Sequence, residues 1–64
     1  MKVKYNKEVD VLLIQFKESA IKESDESKPG IIIDYAEDGS VISIEILDAS
    51  KQLPFPTKVE YEVA

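Results

Sequence analysis

The sequence predicts a mainly β fold (α+β at most): a small antiparallel sheet of five or six strands, built from two hairpins plus a C-terminal strand, with one short helical turn. Three observations carry this reading. Apolar and polar residues alternate in short runs, as in Val3 and Tyr5 against Lys2 and Lys4, or Ile42, Ile44 and Ile46 against Ser43 and Glu45, which is the period of a half-buried strand. Pro29-Gly30 and Asp38-Gly39 punctuate β-branched runs, as turn residues do between strands. No stretch of about 11 or more residues keeps an apolar 3.6-residue period, which disfavours a helical bundle.

Val3 and Tyr5 define a first strand, and residues 6–10, polar except for Val9, make the reversal. The return strand, Val11 to Phe16, is apolar on most positions of both faces, which places it inside the sheet with cover on its second side. The chain then turns polar. A charged edge strand is expected around Ser19 to Ser24, because charge blunts edge-to-edge pairing, and Glu23 to Lys28 reads as a solvated loop. Pro29-Gly30 closes that loop, with Pro presetting φ at the first central turn position and Gly supplying positive φ at the second.

Ile31 to Tyr35 is strongly β-branched and reads as a strand. Asp38-Gly39 is a two-residue hairpin signal of the type I′ kind, and Val41 to Leu47 is the return strand, with Ile44 in its apolar core row. Asp48 is the expected N-cap of one helical turn, Ala49 to Gln52, ended by Leu53-Pro54. Two prolines flanking Phe55 impose an extended crossing. Thr57, Val59, Tyr61 and Val63 alternate with Lys58, Glu60 and Glu62 in a final strand suited to pairing across a subunit boundary. Residues 1–53 therefore form a single β domain, and residues 54–64 a C-terminal extension.

The two hairpins resemble each other. KVKYNKEVDVLLIQF, from Lys2, and IIDYAEDGSVISIEI, from Ile32, overlay with Tyr5 on Tyr35, Val11 on Val41 and Ile14 on Ile44. Two readings stay open: duplication, or two hairpins built under the same constraints.

Composition excludes several classes of function. The chain has 64 residues, a net charge of −5 and neither cysteine nor histidine. Disulfides and the common zinc sets are therefore absent, and a domain this small must rely on regular packing or self-association. All the basic residues are lysines. Nucleic acid is not expected as a partner, since duplex binding needs cations against phosphate and sequence reading favours arginine. Membrane attachment is not expected either: no apolar run approaches the roughly 20 residues that span a bilayer, and the amino terminus lacks the apolar stretch of a signal peptide. The expected compartment is the cytoplasm.

Candidate chemistry is sparse. Asp34, Glu37 and Asp38 gather around the second turn, and oxygen clusters can hold calcium or magnesium, so these three are weak candidates for a metal site. Asp38-Gly39 is more simply turn chemistry. Glu23, Asp25 and Glu26 could meet a basic partner, or form a solvated run. Ser50 beside Lys51 could be imagined as nucleophile and base, but adjacent helical residues point apart. No catalytic residues and no cofactor are expected, and the chain does not read as an enzyme. Pro29, Gly30, Asp38 and Gly39 are structural turn residues; Val59, Tyr61 and Val63 are candidate interface residues.

The string from Pro29-Gly30 through Ile31-Ile32-Ile33-Asp34-Tyr35 and Asp38-Gly39 to Ile44-Glu45-Ile46-Leu47-Asp48-Ala49-Ser50-Lys51 resembles the small bacterial and archaeal family named domain of unknown function 2283 (DUF2283). The opening, Lys2-Val3-Tyr5 and an acidic turn ending in Asp10, is similar to that family's first hairpin. The resemblance covers about Met1 to Leu53. It implies a small stand-alone protein with no established activity, cofactor or catalytic residues to transfer. It also implies an antitoxin-like role, because some members lie beside genes for small ribonuclease-like toxins.

The expected function is that of a small acidic interaction protein: a homodimer, antitoxin-like towards a basic partner protein. The alternative is a small-molecule or divalent-metal-binding domain using clustered carboxylates.

Overall fold

A computed structural model describes residues 1–54 and 59–64. Among them, β1 (Lys2–Asn6), β2 (Val11–Gln15), β3 (Glu23–Lys28), β4 (Ile31–Tyr35) and β5 (Val41–Leu47) form one open antiparallel sheet, followed by a short helix, α1 (Ala49–Gln52). The spatial order is β1-β2-β5-β4-β3. β3, β4 and β5 make a meander, while residues 16–22 carry the chain from β2 to the far edge, leaving β2 beside β5 in Greek-key order.

The two similar halves of the sequence are the hairpins β1–β2 and β4–β5, joined through β2 and β5. Ile14 and Ile44, matched positions of the two halves, are partners across that junction. An antiparallel pair relates its strands by a local twofold axis, so the similarity in sequence is also a local symmetry of the sheet.

Register sorts the side chains into rows, because partners across a ladder share a face. One face carries Val3–Ile14–Ile44–Ile33–Asp25 and Tyr5–Leu12–Ile46–Ile31–Lys28. These rows are apolar across four strands and charged only on edge strand β3. The opposite face carries Lys2–Gln15–Ser43–Asp34–Ser24, polar throughout, and the mixed row Lys4–Leu13–Glu45–Ile32–Glu26. Little of this is deeply buried. Among the described residues the buried apolar side chains are Ala36, Ile42 and Ala49, and β2, expected to be covered on both sides, is half-buried throughout. Phe16 extends the ladder by donating its N–H to Ile42 O at 2.7 Å, but its ring is 41 % exposed.

Three local expectations are corrected. The edge strand and loop exchange places: residues 16–22 are the irregular crossing, and Glu23 to Lys28, expected as a loop, is β3. Pro29-Gly30 is a tight reversal, with Gly30 at φ 84°, so the segment that can pair with β4 is the one immediately before it. All six β3 residues are exposed, and an edge strand needs backbone donors and acceptors rather than apolar side chains. A register shift between Glu26 and Lys28 eases the entry to the turn, and Glu26 Oε2 accepts the Gly30 N–H at 2.9 Å.

The second hairpin closes through three residues rather than two. Gly39 N–H donates to Ala36 O at 2.9 Å and Ala36 N–H to Ser40 O at 2.8 Å, and only Gly39 of the loop has positive φ, at 86°. That is the turn followed by a left-handed glycine of a three-residue loop. Asp38 stays out of the left-handed region because its carboxylate is used locally, accepting the Ser40 N–H at 3.0 Å and the Ser40 hydroxyl at 2.6 Å.

Of the expected C-terminal strand, residues 57 and 58, like the crossing at 55–56, lie outside the described residues. Residues 59–64 are irregular and exposed, with Val59 at 67 % and Tyr61 and Val63 each at 79 %. Alternation prepares a segment for a sheet, but a strand exists only where a ladder forms.

Candidate functional site

Three loops converge at one end of the sheet: the β1–β2 turn, the β3–β4 turn and the β5–α1 junction. Asp10, in the left-handed region at φ 56°, ends the first turn. Its carbonyl accepts the Ala49 N–H at 3.0 Å; Oδ1 accepts the Ser50 N–H at 3.0 Å and the Tyr5 hydroxyl at 2.7 Å, and Oδ2 accepts the Ser50 hydroxyl at 2.6 Å. Asp10, not Asp48, therefore supplies the side-chain cap of α1. Asp48 occupies the N-cap position but adopts φ 49° and makes no capping bond. A left-handed residue is what turns the chain sharply off β5 and seats Ala49, fully buried, at the corner.

The hydroxyl of Ser50, then that of Tyr5, holds the Asp10 carboxyl below its usual range, and the bond to Asp10 raises the Tyr5 phenol. From the other side, Gln52 donates to Leu47 O at 2.7 Å while Leu47 N–H donates to Gly30 O at 2.8 Å. The Gln52 amide lies so close over Gly30 that a β-carbon there would stand 2.5 Å from its Nε2. The corner is thus a clamp, in which Ser50 donates both its N–H and its hydroxyl to Asp10.

The second constellation is the polar row. Asp34 is 2 % exposed and Ser43 3 %. Ser24 donates to Asp34 Oδ1 and Ser43 to Asp34 Oδ2, each at 2.6 Å, binding β3, β4 and β5 together. Glu45 stands close enough to Asp34 to share a hydrogen bond with it when one of the two is protonated. That bond, with desolvation and the neighbouring charge, raises the Glu45 carboxyl; burial works against ionisation of Asp34, but its bonds to Ser24, Ser43 and Glu45 outweigh it and hold Asp34 low. Of the two carboxyls, Glu45 is therefore the one that takes up a proton first as pH falls. Ser43 and Asp34 are buried, and the row forms a polar seam of the sheet. Beside it, Lys4, Asn6, Val9, Val11, Leu13 and Glu45 line an open concavity.

The metal candidates are not brought together. Asp34 is occupied by the two serines, Asp38 by its own turn, and Glu37 is exposed. Among the described residues no three acidic, histidine or cysteine side chains form a set able to hold a metal. The acidic residues Glu23, Asp25 and Glu26 stand along exposed β3. Pro29 and Gly30 lie in the β3–β4 turn and Gly39 in the β4–β5 loop. Reading the sequence missed Asp10, Ser24 and Glu45; only the lone acid inside the apolar run Ile31 to Tyr35 signalled the polar seam. No helix among the described residues is long and apolar enough to cross a membrane.

A five-stranded open sheet whose corner is clamped through Asp10 and Ser50 defines a small β domain. The chain belongs to the family described as Protein of unknown function (DUF2283), whose model matches residues 2–50. That span ends on Ser50, the residue that closes the clamp. No curated protein and no solved structure matches it.

Proposed function

We propose that this protein is a non-catalytic protein-interaction domain whose working surface is the apolar face of the sheet. The observation carrying this reading is the pair of rows centred on Ile14–Ile44 and Leu12–Ile46, apolar across four strands yet never better than half-buried. Contiguous exposed apolar surface of this kind usually marks an interface. The engaged carboxylates support the same reading, since Asp10, Asp34 and Asp38 are all occupied in holding the fold.

Edge strand β3 favours a second surface for a basic partner protein. Its outer backbone groups have no neighbouring strand in the sheet, and Glu23, Asp25 and Glu26 stand along it. A lysine-rich strand could add there by main-chain pairing. The antitoxin-like role implied by the resemblance would use this edge.

Hydroxyl-radical footprinting of the tagged protein in extract of its source cell tests the proposal. Tyr5, Leu12 and Ile14 are expected to react more slowly than in the protein stripped of all partners by dilution. Equal reactivity in both states would remove the apolar face as a working surface.

A further inference from the structure

We infer that the occupant of the apolar face is a second copy of this chain, the two sheets packing face to face about a twofold axis. This rests on the preceding reading of that face and adds the identity of the partner.

Area is the first argument. The chain exposes 5160 Å² and has a radius of gyration of 12.5 Å, whereas a compact monomer of 7.2 kDa exposes about 4100 Å² and 64 residues collapse to about 11 Å. The surplus of roughly 1000 Å², to which the open face and the exposed residues 59–64 contribute, compares with the about 800 Å² that each partner contributes to a stable interface.

Layering is the second. A sheet with an apolar face needs another layer to form a core, and this chain provides none among its described residues. Helix α1 has four residues and buries only Ala49, while residues 59–64 stand exposed.

Charge is the third, and it selects the partner. Across β1, β2, β5 and β4 the two rows hold no ionisable group except the Tyr5 phenol, and the first charges met are Asp25 and Lys28 on β3. A basic protein would find nothing there to pair with. An identical face meets it without burying a charge, despite the chain's net charge of −5. An isologous contact would use the same rows on both copies, centred near the Ile14–Ile44 pair.

Sedimentation equilibrium of the full chain over a dilution series, combined with footprinting of the pure protein, decides the matter. The expected result is a species of twice the 7.2 kDa chain mass, with Leu12 and Ile14 protected and regaining reactivity as the dimer dissociates. Ile44→Glu should abolish the dimer, as should Ile14→Lys. Mixing the two variants should restore it, because opposite charges then meet near the axis; restoration on mixing also separates lost assembly from irreversible misfolding. A monomer at every concentration overturns the inference, as does a dimer whose Leu12 and Ile14 stay reactive, which would be paired by its edges. If the pure protein is monomeric but Leu12 and Ile14 are protected in extract, the interaction surface stands and its occupant is another protein.

Discussion

Asp10 holds Ser50 from forty positions away, accepting its amide N–H at 3.0 Å and its hydroxyl at 2.6 Å. Both ends of the family-matched span, the first hairpin and the residues after β5, are joined by this one carboxylate. Asp10→Ala should therefore lower the denaturation midpoint and speed hydrogen exchange at Ala49 and Ser50. Asp10→Asn should keep part of the stability, because Asn tolerates the left-handed backbone and retains one acceptor. Unchanged exchange at Ser50 in Asp10→Ala would show that α1 does not depend on the clamp.

The opposed shifts of the Glu45 and Asp34 carboxyls predict a dependence on pH with a definite sign. The raised Glu45 carboxyl contributes stability below its unfolded pKa, lost as pH rises through the folded one; the lowered Asp34 carboxyl contributes above its unfolded pKa, lost as pH falls through the folded one. Glu45→Gln keeps a donor to Asp34 without the second charge. It should be more stable than the parent at neutral pH, and the advantage should shrink as pH falls and Glu45 takes up its own proton. Thermal melts over a pH series give the answer, and a variant less stable at neutral pH would contradict the unfavourable charge of Glu45 beside Asp34.

Asp34→Ala leaves the Ser24 and Ser43 hydroxyls without their acceptor. The cost should be about 1–3 kcal/mol, the usual penalty for an unsatisfied buried polar group. Combining it with Ser43→Ala should recover part of that loss in a double-mutant cycle by urea denaturation, and strict additivity would mean the two residues act independently.

Ile42, 1 % exposed, should be the most costly aliphatic residue to truncate. Ile42→Ala is expected to lose about 2–5 kcal/mol, much of the few kcal/mol that hold so small a domain together. Ile44, half-buried in the single chain, should behave differently, its alanine variant losing stability by an amount that grows with protein concentration. Equal, concentration-independent losses at both positions would contradict the burial seen here.

The two glycines should separate strain from collision. Gly39, at φ 86° with open space around it, and Gly30, at φ 84° beneath Gln52, are equally unfavourable for a β-carbon as backbone. Gly39→Ala should cost about 1–2 kcal/mol from the left-handed conformation alone, with Gly39→Val worse. Gly30→Ala should cost more, and Gln52→Ala in the same chain should relieve the excess. If Gln52→Ala brings no relief, the contact over Gly30 is not what distinguishes the two turns.

What the sequence by itself determined is whatever depends on neighbours along the chain. Alternation placed β1, β2, β4 and β5 within a residue or so, because the side-chain period of a strand is local. Pro29-Gly30 and Gly39 marked positive-φ turns, because only the residue's own sterics decide that. Tertiary structure decided the rest. It set β3 at Glu23 to Lys28, since an edge strand with exposed side chains is chosen by the ladder offered by β4. It lengthened the Asp38-Gly39 loop, because Asp38 bonds Ser40 rather than adopting a left-handed conformation. It moved the cap of α1 from Asp48 to Asp10, and brought Ser24, Asp34, Ser43 and Glu45 from three strands into one seam. For β3, the α1 cap and the seam, the deciding interaction joins residues whose proximity exists only after the sheet has formed, whereas the Asp38–Ser40 contact is local, two residues along the chain.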